Sequence, residues 1–394
     1  MSTPFEIAKK ISFHKQKSYT RFIVRLSIAA TAISVAAILL TLSIVNGFQE
    51  SIADKVYQFW GQIRVNTING APIDQQTHPS YLQHPGIARI TPFINQSAVL
   101  AYRQDIEGVI VKGTPTNAPI PFLKQGKIPN EIDEADRNNS ILLSDALAKK
   151  LNIPLDSSIR LYFLNNGSVQ QRKLKVIGLY HSGIEEYDKQ FVMVDLQLLQ
   201  QLNGGSHFIE GYSIELKKGV PVDITNQQIQ KKLPDNLVST SIKDYYPQIF
   251  DWIGVQTINR NVTIAILLII AIVNLLTCLF ILMLERVSMI GSLTSMGATT
   301  GFIRQVFLYQ ASFICWMGIA IGTGIGLGLS FLQQYFGFIQ LDETAYFIQT
   351  LPIAIHPMEV IWVIFGTAVI SYLSFLIPTL WIHKIAPAKA IQFN

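Results

Sequence analysis

Val262-Thr-Ile-Ala-Ile-Leu-Leu-Ile-Ile-Ala-Ile-Val-Asn-Leu-Leu-Thr-Cys-Leu-Phe-Ile-Leu-Met-Leu284 contains no charged side chain. A helix crossing a hydrocarbon layer of about 30 Å needs roughly 20 residues of this kind, so the run predicts a transmembrane span. Three other stretches meet the same criterion: Phe22 to Val45, Phe307 to Leu332 and Val360 to Ile382. The composition agrees. Of 394 residues, 49% are apolar and only 14% charged, against about 25% charged in an ordinary soluble domain. The basic lead-in before Phe22 is too extended, and the apolar run behind it too long, for a cleaved secretory signal. The first span therefore reads as a retained anchor.

The distribution of charge sets the expected topology. Short flanks rich in Lys and Arg stay on the cytoplasmic side. The leader holds Lys9, Lys10, Lys15, Lys17, Arg21 and Arg25; the segment between spans two and three holds Arg286 and Arg304; the tail holds Lys384 and Lys389. The short segment 333–359 has neither Lys nor Arg, but carries Asp342 and Glu343. The expected order is thus a cytoplasmic leader 1–21, a first span 22–45, an outer segment 46–261 and a second span 262–284. A cytoplasmic segment 285–304, a third span 307–332, an outer loop 333–359, a fourth span 360–382 and a cytoplasmic tail 383–394 complete it. A bacterial inner membrane with a periplasmic domain is the simplest setting. The net charge is +5, yet the outer segment holds 21 basic and 21 acidic residues and is neutral. A nucleic-acid-binding face is excluded on that balance, since the basic excess belongs to the flank of a span.

The outer segment mixes strand and helix signals. Gln62 to Ile68, Ala98 to Tyr102, Gly108 to Lys112, Ser158 to Leu164 and Arg172 to Gly178 alternate or are β-branched, as strands are. Ser144 to Leu151, Asp195 to Leu202 and Thr225 to Lys232 have helical spacing. Asn165-Asn166-Gly167-Ser168 predicts a hairpin turn. The fold class expected is a membrane protein with four transmembrane α-helices and a large α+β periplasmic domain between helices 1 and 2. Asn46 to Trp60 and Tyr245 to Gln256 have apolar helical spacing with interfacial aromatics, which suits helical stalks at either end of that domain.

Catalytic and metal signatures are missing from the sequence. Gln125-Gly126-Lys127 is followed by Ile128 and lacks the upstream glycine of a phosphate loop. There is no G-x-S-x-G elbow and no H-E-x-x-H pair. The two cysteines, Cys278 and Cys315, lie in apolar runs, which excludes a disulfide framework and a Cys/His zinc spacing. His78, His84, His181 and His207 read as solvated or structural, and Glu185, Glu186 and Asp188 as an exposed charged turn. No catalytic residue, metal ligand or cofactor is expected. Within the spans, Asn274 and Gln310 read as amides that bond across helix interfaces, Pro378 as the site of a local kink, and Gly318, Gly322, Gly324, Gly326 and Gly328 as a small-residue face for close helix packing.

The most specific stretch is Leu284-Glu-Arg-Val-Ser-Met-Ile-Gly-Ser-Leu-Thr-Ser-Met-Gly-Ala-Thr-Thr-Gly-Phe-Ile-Arg304. Met289, Ile290, Leu293 and Met296 share one helical face, and Gly297 is placed to end the helix. Such a face between two spans needs a cover, either the bilayer or a groove on a soluble partner.

Glu285 to Ala298 resembles the E-[RK]-x-x-E-I-G-x-L-[KR]-[AS]-[ML]-G-A coupling segment of ABC transporter permeases of the MacB/FtsX superfamily, within it the lipoprotein-releasing LolC/LolE type. Leu42-Ser-Ile-Val-Asn-Gly-Phe48, Gly108-Val-Ile-Val-Lys-Gly-Thr114, Ile141 to Ile153, Gly183 to Phe191 and Pro387-Ala-Lys-Ala-Ile391 agree, in family order. The resemblance implies two permease subunits, as homo- or heterodimer, with a separate cytoplasmic ATPase that binds the ATP. Glu285, Arg286, Met289, Ile290, Leu293, Met296 and Gly297 would form the coupling helix on that ATPase. A lipoprotein would enter beside spans one and two, where Phe48, Phe59, Trp60, Phe250 and Trp252 would face it, and would leave to a periplasmic carrier. The sequence departs from the pattern at Met289, where the family has an acid, and at Thr294, where it has a base. The short turn at Asn165 to Gln171 replaces a protruding loop of the carrier-recruiting type, leaving direct carrier recruitment open. The alternative function within the superfamily is efflux or export, or control of cell-wall hydrolases.

Overall fold

The computed structural model describes residues 18–75, 79–120, 122–127, 131, 133–165, 167–203, 205, 207–342 and 348–379. The expected basic leader up to position 17, the tail from 380 onward and His78 lie outside them. Among the described residues, four helices are long and apolar enough to cross a membrane. They run Ser18–Trp60, Pro247–Glu285, Thr300–Phe336 and Pro357–Thr379, and are called here the first to fourth long helices. The first and second extend well past their apolar runs into the segments read as stalks. The chain divides into a helical unit and a sheet unit, with breaks at Glu50/Ser51, Trp252/Ile253, Gln340/Leu341 and Gln349/Thr350.

In the helical unit, Val35, Leu39, Leu275, Leu279, Ile303, Phe307, Ile314 and Phe375 form the core. Buried positions of the third long helix recur at Ile303, Phe307, Gln310, Ile314, Gly318, Gly322 and Gly326, one helical face. Its far end stops at Gly337, whose φ of +57° is the left-handed conformation that glycine adopts without a Cβ penalty.

Among the described residues, twelve strands lie in chain order between the first and second long helices: β1 Ile63–Thr67, β2 Ile73–Asp74, β3 Ile87–Tyr102, β4 Asp105–Thr114, β5 Leu123–Gly126, β6 Ser140–Ser144, β7 Ser158–Asn165, β8 Ser168–Tyr180, β9 Phe191–Asp195, β10 Phe208–Ile209, β11 Gly211–Leu216 and β12 Leu237–Ser241. Six close into a barrel-like ring, β3-β4-β9-β6-β8-β7 and back to β3. The long β3 also reaches out of the ring. Its first half pairs with β11, which continues through β1 to β12, while its second half pairs with β4 and β7.

The alternation along β7 explains the closure. Ile159, Leu161 and Phe163 point into the ring, fully buried, while Ser158, Arg160 and Leu164 point out. Burying a side chain such as Phe163 contributes about 1.5–3 kcal/mol. The turn to β8 passes through Gly167 at φ +78°, as expected of the hairpin. By contrast β6 and β9 are buried along their whole length. Parallel partners and cover on both faces give such strands continuous apolar runs rather than alternation. Their second cover is the end of the first long helix. Val56, Phe59 and Trp60 pack with Leu142, Met193, Phe191, Tyr180 and Tyr187 in a core of their own.

Candidate coupling site and helix interfaces

The segment after the second long helix folds as the expected short helix, Val287–Ser295. Gly297 has a φ of +89°, its N–H donates to Thr294 O at 3.0 Å, and the Ala298 N–H donates to Leu293 O at 2.9 Å. These two bonds are a Schellman termination, which requires a residue free to enter the left-handed region. Thr299 then caps the third long helix, its Oγ1 accepting from the Phe302 N–H. The Met-Gly-Ala-Thr sequence is therefore a complete stop-and-restart device between two helices.

Most of the apolar face of this helix is covered. Ile290 is 3% exposed, and Met289 and Leu293 pack on the core of the helical unit. The chain's own bundle covers these three, while Met296 of the same expected face stays exposed. The reason is the tight turn at Arg286, whose N–H bonds Met283 O; it folds the short helix back against its neighbours. Leu284 at 70% and Met296 at 82% exposure stand out instead, with Glu285, Ser288, Ser292 and Ser295 also exposed. Arg286 is half-buried.

The glycines of the third long helix divide by face. A Cβ on Gly318 would meet Thr31 Cβ at 2.7 Å, and one on Gly322 would meet Ala32 O at 2.5 Å and Val35 Cβ at 2.9 Å. At Gly326 the nearest atom would be Ala36 Cα at 3.1 Å. These three bring the third helix against the first. A Cβ on Gly324 or Gly328 would meet nothing within 4 Å, so neither packs against another helix among the described residues. Asn274 behaves as expected, donating to Ser27 O of the first helix at 3.3 Å.

At the other end of the bundle Asn46, 5% exposed, joins three helices. Its Nδ2 donates to Glu359 Oε2 at 2.6 Å, and its Oδ1 accepts from Arg260 Nη1 at 2.6 Å. Gln49 donates to Thr257 Oγ1 at 2.8 Å, and His356 sits 2.7 Å from Glu50. Beside them a Cβ on Gly47 would run into the backbone of Pro352. The Asn46-Gly47 pair thus has a physical reason that spacing alone did not reveal.

The aromatics expected to face a substrate separate into two groups. Phe59 and Trp60 are 4% and 3% exposed and stack among Tyr187, Phe191 and Tyr246. They serve the sheet unit's core, which corrects their assignment to a substrate-facing surface; helical spacing could not show that the domain folds around the helix end. Trp252 is 40% exposed, while Phe250 is partly buried against Tyr57, ring centroids 5.8 Å apart. Phe48 is half-buried in the helical unit.

The acidic turn also differs from its reading. Glu185 and Glu186 are exposed, but Asp188 is buried, accepting from the Ser182 N–H and Oγ and the Gly183 N–H. His181 Nδ1 lies 2.8 Å from Asp145 and 3.4 Å from Asp188. Lys124 lies 2.8 Å from Asp145. The two carboxylates and the imidazole are close enough to hold a metal, yet Lys124 and the donors around Asp188 already occupy the carboxylate oxygens. Burial raises the pKa of Asp188, and although burial acts the same way on Asp145, hydrogen bonds from Lys124 and His181 hold it below the usual carboxylate range. The network ties the loop before β9 to the helix after β6, with Ser144 Oγ donating to Asp188 O.

Four helices apolar enough to cross a membrane, a short helical connector after the second of them and a barrel-containing α+β unit between the first two are the arrangement of a multi-pass membrane protein. Comparison with known families is specific: the MacB-like periplasmic core domain matches residues 26–232, and the FtsX-like permease C-terminal domain matches residues 261–387. The chain belongs to this MacB/FtsX family of permeases. It is similar from end to end to the lipoprotein-releasing system transmembrane protein LolC of Neisseria meningitidis, 22% identical with 96% of each chain covered. It is likewise similar to LolE of Haemophilus influenzae, 23% identical with 100% of each covered. Among solved structures, the periplasmic region of MacB from Actinobacillus actinomycetemcomitans aligns with 14% identity and a TM-score of 0.35, covering 48% of this chain and 92% of that one.

Proposed function

We propose that the protein is a non-catalytic transmembrane subunit of an ABC transporter that couples ATP hydrolysis by a separate cytoplasmic ATPase to release of lipoproteins from the bacterial inner membrane. The observation that carries this reading is the end-to-end similarity to both LolC and LolE, across the sheet unit and the helical unit alike. Both termini and the Val287–Ser295 helix are on the ATPase side, in line with the Lys and Arg of the flanks. The sheet unit is periplasmic, and a second permease completes the complex. Moving acyl chains from lipid into water opposes about 0.8 kcal/mol per CH₂, so an energy source is required.

The docking surface on the ATPase is the exposed ridge of Leu284, Ser288, Ser292 and Met296, since Ile290 is already covered. Purification of the full-length protein in mild detergent should recover an ABC ATPase, and reconstitution of that complex should release an acylated protein from vesicles on addition of ATP. Recovery of the ATPase without any ATP-dependent release would redirect the assignment to export. One observation favours that second reading: the export ATP-binding/permease protein SyfD of Pseudomonas syringae is 26% identical, but over 41% of this chain and 25% of its own length.

A further inference from the structure

The last turn of the first long helix ends inside the sheet unit, and its carbonyls are held by three different devices. Tyr57 O accepts from the Gly61 N–H at 2.7 Å, with Gly61 at φ +78°. Trp60 O accepts from Ser213 Oγ at 2.6 Å. Phe59 O accepts from Lys112 Nζ. Lys112 belongs to β4, is 7% exposed, and its ammonium stands 4.2 Å from the Phe59 ring centroid and 4.5 Å from that of Trp60. Ion pairs of Arg64, Lys124, Lys150 and Lys175 with carboxylates occur in this unit, whereas the contacts of Lys112 are a carbonyl and two aromatic faces. Helix C-termini leave their last carbonyls without an intrahelical donor, and an Nζ–H of Lys112 supplies one to Phe59 O in either protonation state.

A buried lysine is an expensive way to fill space, because removing its charge from water costs several kcal/mol unless something specific is gained. Burial and the neighbouring Arg64 pull its pKa down to about 7, while Glu210 and Glu215 pull the other way. Methionine would fill the same volume without that cost. What methionine could not do is grip the helix end.

We infer that Lys112 is a positioning residue that latches the C-terminus of the first long helix to the β-ring, so that displacement of this helix is delivered to β4 rather than lost as slippage. This rests on the proposed function for its purpose, but not for its geometry. Gly108-Val-Ile-Val-Lys-Gly-Thr114 then has a role for its lysine, and its Gly113 allows the approach of Leu199, whose Cδ1 would lie 2.8 Å from a Cβ there.

The test compares wild type with Lys112→Met in the full-length complex, by two readouts. Amide exchange of Val56 to Trp60 should quicken at least tenfold in the variant, and lipoprotein released per ATP hydrolysed should fall at least tenfold with the ATPase still bound. Unchanged exchange overturns the latch; faster exchange with unchanged release per ATP overturns its role in transmission. Should Lys112→Met fail to fold, Ser213→Ala removes a neighbouring device and is judged by the same two readouts, with a threefold threshold. If the wild-type complex releases no lipoprotein, the cargo assignment fails, while exchange at Val56 to Trp60 still decides the latch.

Discussion

Gly322 and Gly324 lie two positions apart on one helix and face opposite surroundings, which makes them a matched pair. Substituting alanine at either adds one methyl group and gains the same intrinsic helix preference, about 0.8–1 kcal/mol. At Gly324 the methyl meets nothing within 4 Å. At Gly322 it would meet Ala32 O at 2.5 Å and Ala32 Cα at 3.0 Å. Those are backbone atoms, unable to rotate aside, so the first and third long helices must separate by several tenths of an ångström. Overpacking of this kind costs about 1–3 kcal/mol. The preference cancels in the comparison, leaving Gly322→Ala less stable than Gly324→Ala by about 1–3 kcal/mol. Thermal unfolding of the full-length protein in mild detergent, followed as loss of the monodisperse species, reads that difference as a lower midpoint. Gly318→Ala should fall with Gly322→Ala, and Gly328→Ala with Gly324→Ala. If Gly322→Ala were as stable as Gly324→Ala, the close approach of the two helices would be wrong.

The exposed ridge predicts that Met296→Asp with Ser288→Glu leaves the fold intact and lowers ATPase recovery at least tenfold in copurification. Ile290→Asp, which buries an unpaired charge, should instead destabilise the protein by about 3–5 kcal/mol in the unfolding assay. Lys112 releases its proton near pH 7 in the folded protein but near 10.5 when unfolded. Between those values the unfolded state holds more protons, so stability should rise with pH by up to about 1.4 kcal/mol per unit; denaturation at pH 7, 8 and 9 should show the rise in wild type and not in Lys112→Met. Asp145, whose folded pKa is lowered, contributes stability above the unfolded carboxylate value that is lost as pH falls through the folded one. Acid unfolding of Asp145→Asn should accordingly be shallower than that of wild type.

Features governed by local chemistry were legible in the sequence. The apolar runs gave four long helices, the Asn-Asn-Gly-Ser turn gave a hairpin, and Gly297 gave a helix stop. The strands β6 and β9 were not foreseen, because complete burial removes the alternation by which a strand announces itself. At the coupling segment, helical spacing identified the apolar face of Met289, Ile290 and Leu293, but a period says only that a face is covered and not by what. Phe59 and Trp60 failed for the same reason: interfacial aromatics at a helix end look alike whether lipid or a folded domain surrounds them. Asp188 looked like part of a solvated turn because its partners, Ser182, Gly183 and His181, surround it only once the loop has closed. The Asn46 junction joins residues more than 200 positions apart, as in its bonds to Arg260 and Glu359, and no local pattern carries that.

The double membership of β3 bears on how this protein is made. Its first half needs β11 and its second half needs β4 and β7, while β1 needs both β11 and β12. Strand 63–67 must therefore wait for residues 211–241 before it has a partner on either side. Pairing over such separations is slow relative to local structure. During synthesis the first long helix is complete long before the ring that receives its end, and Ser241 precedes the start of the second long helix at Pro247 by only a few residues. The sheet unit has all of its strands only as the next apolar helix begins to be made. Truncations placed between Ile87 and Asp195 should then yield no foldable half, since every such cut divides the ring.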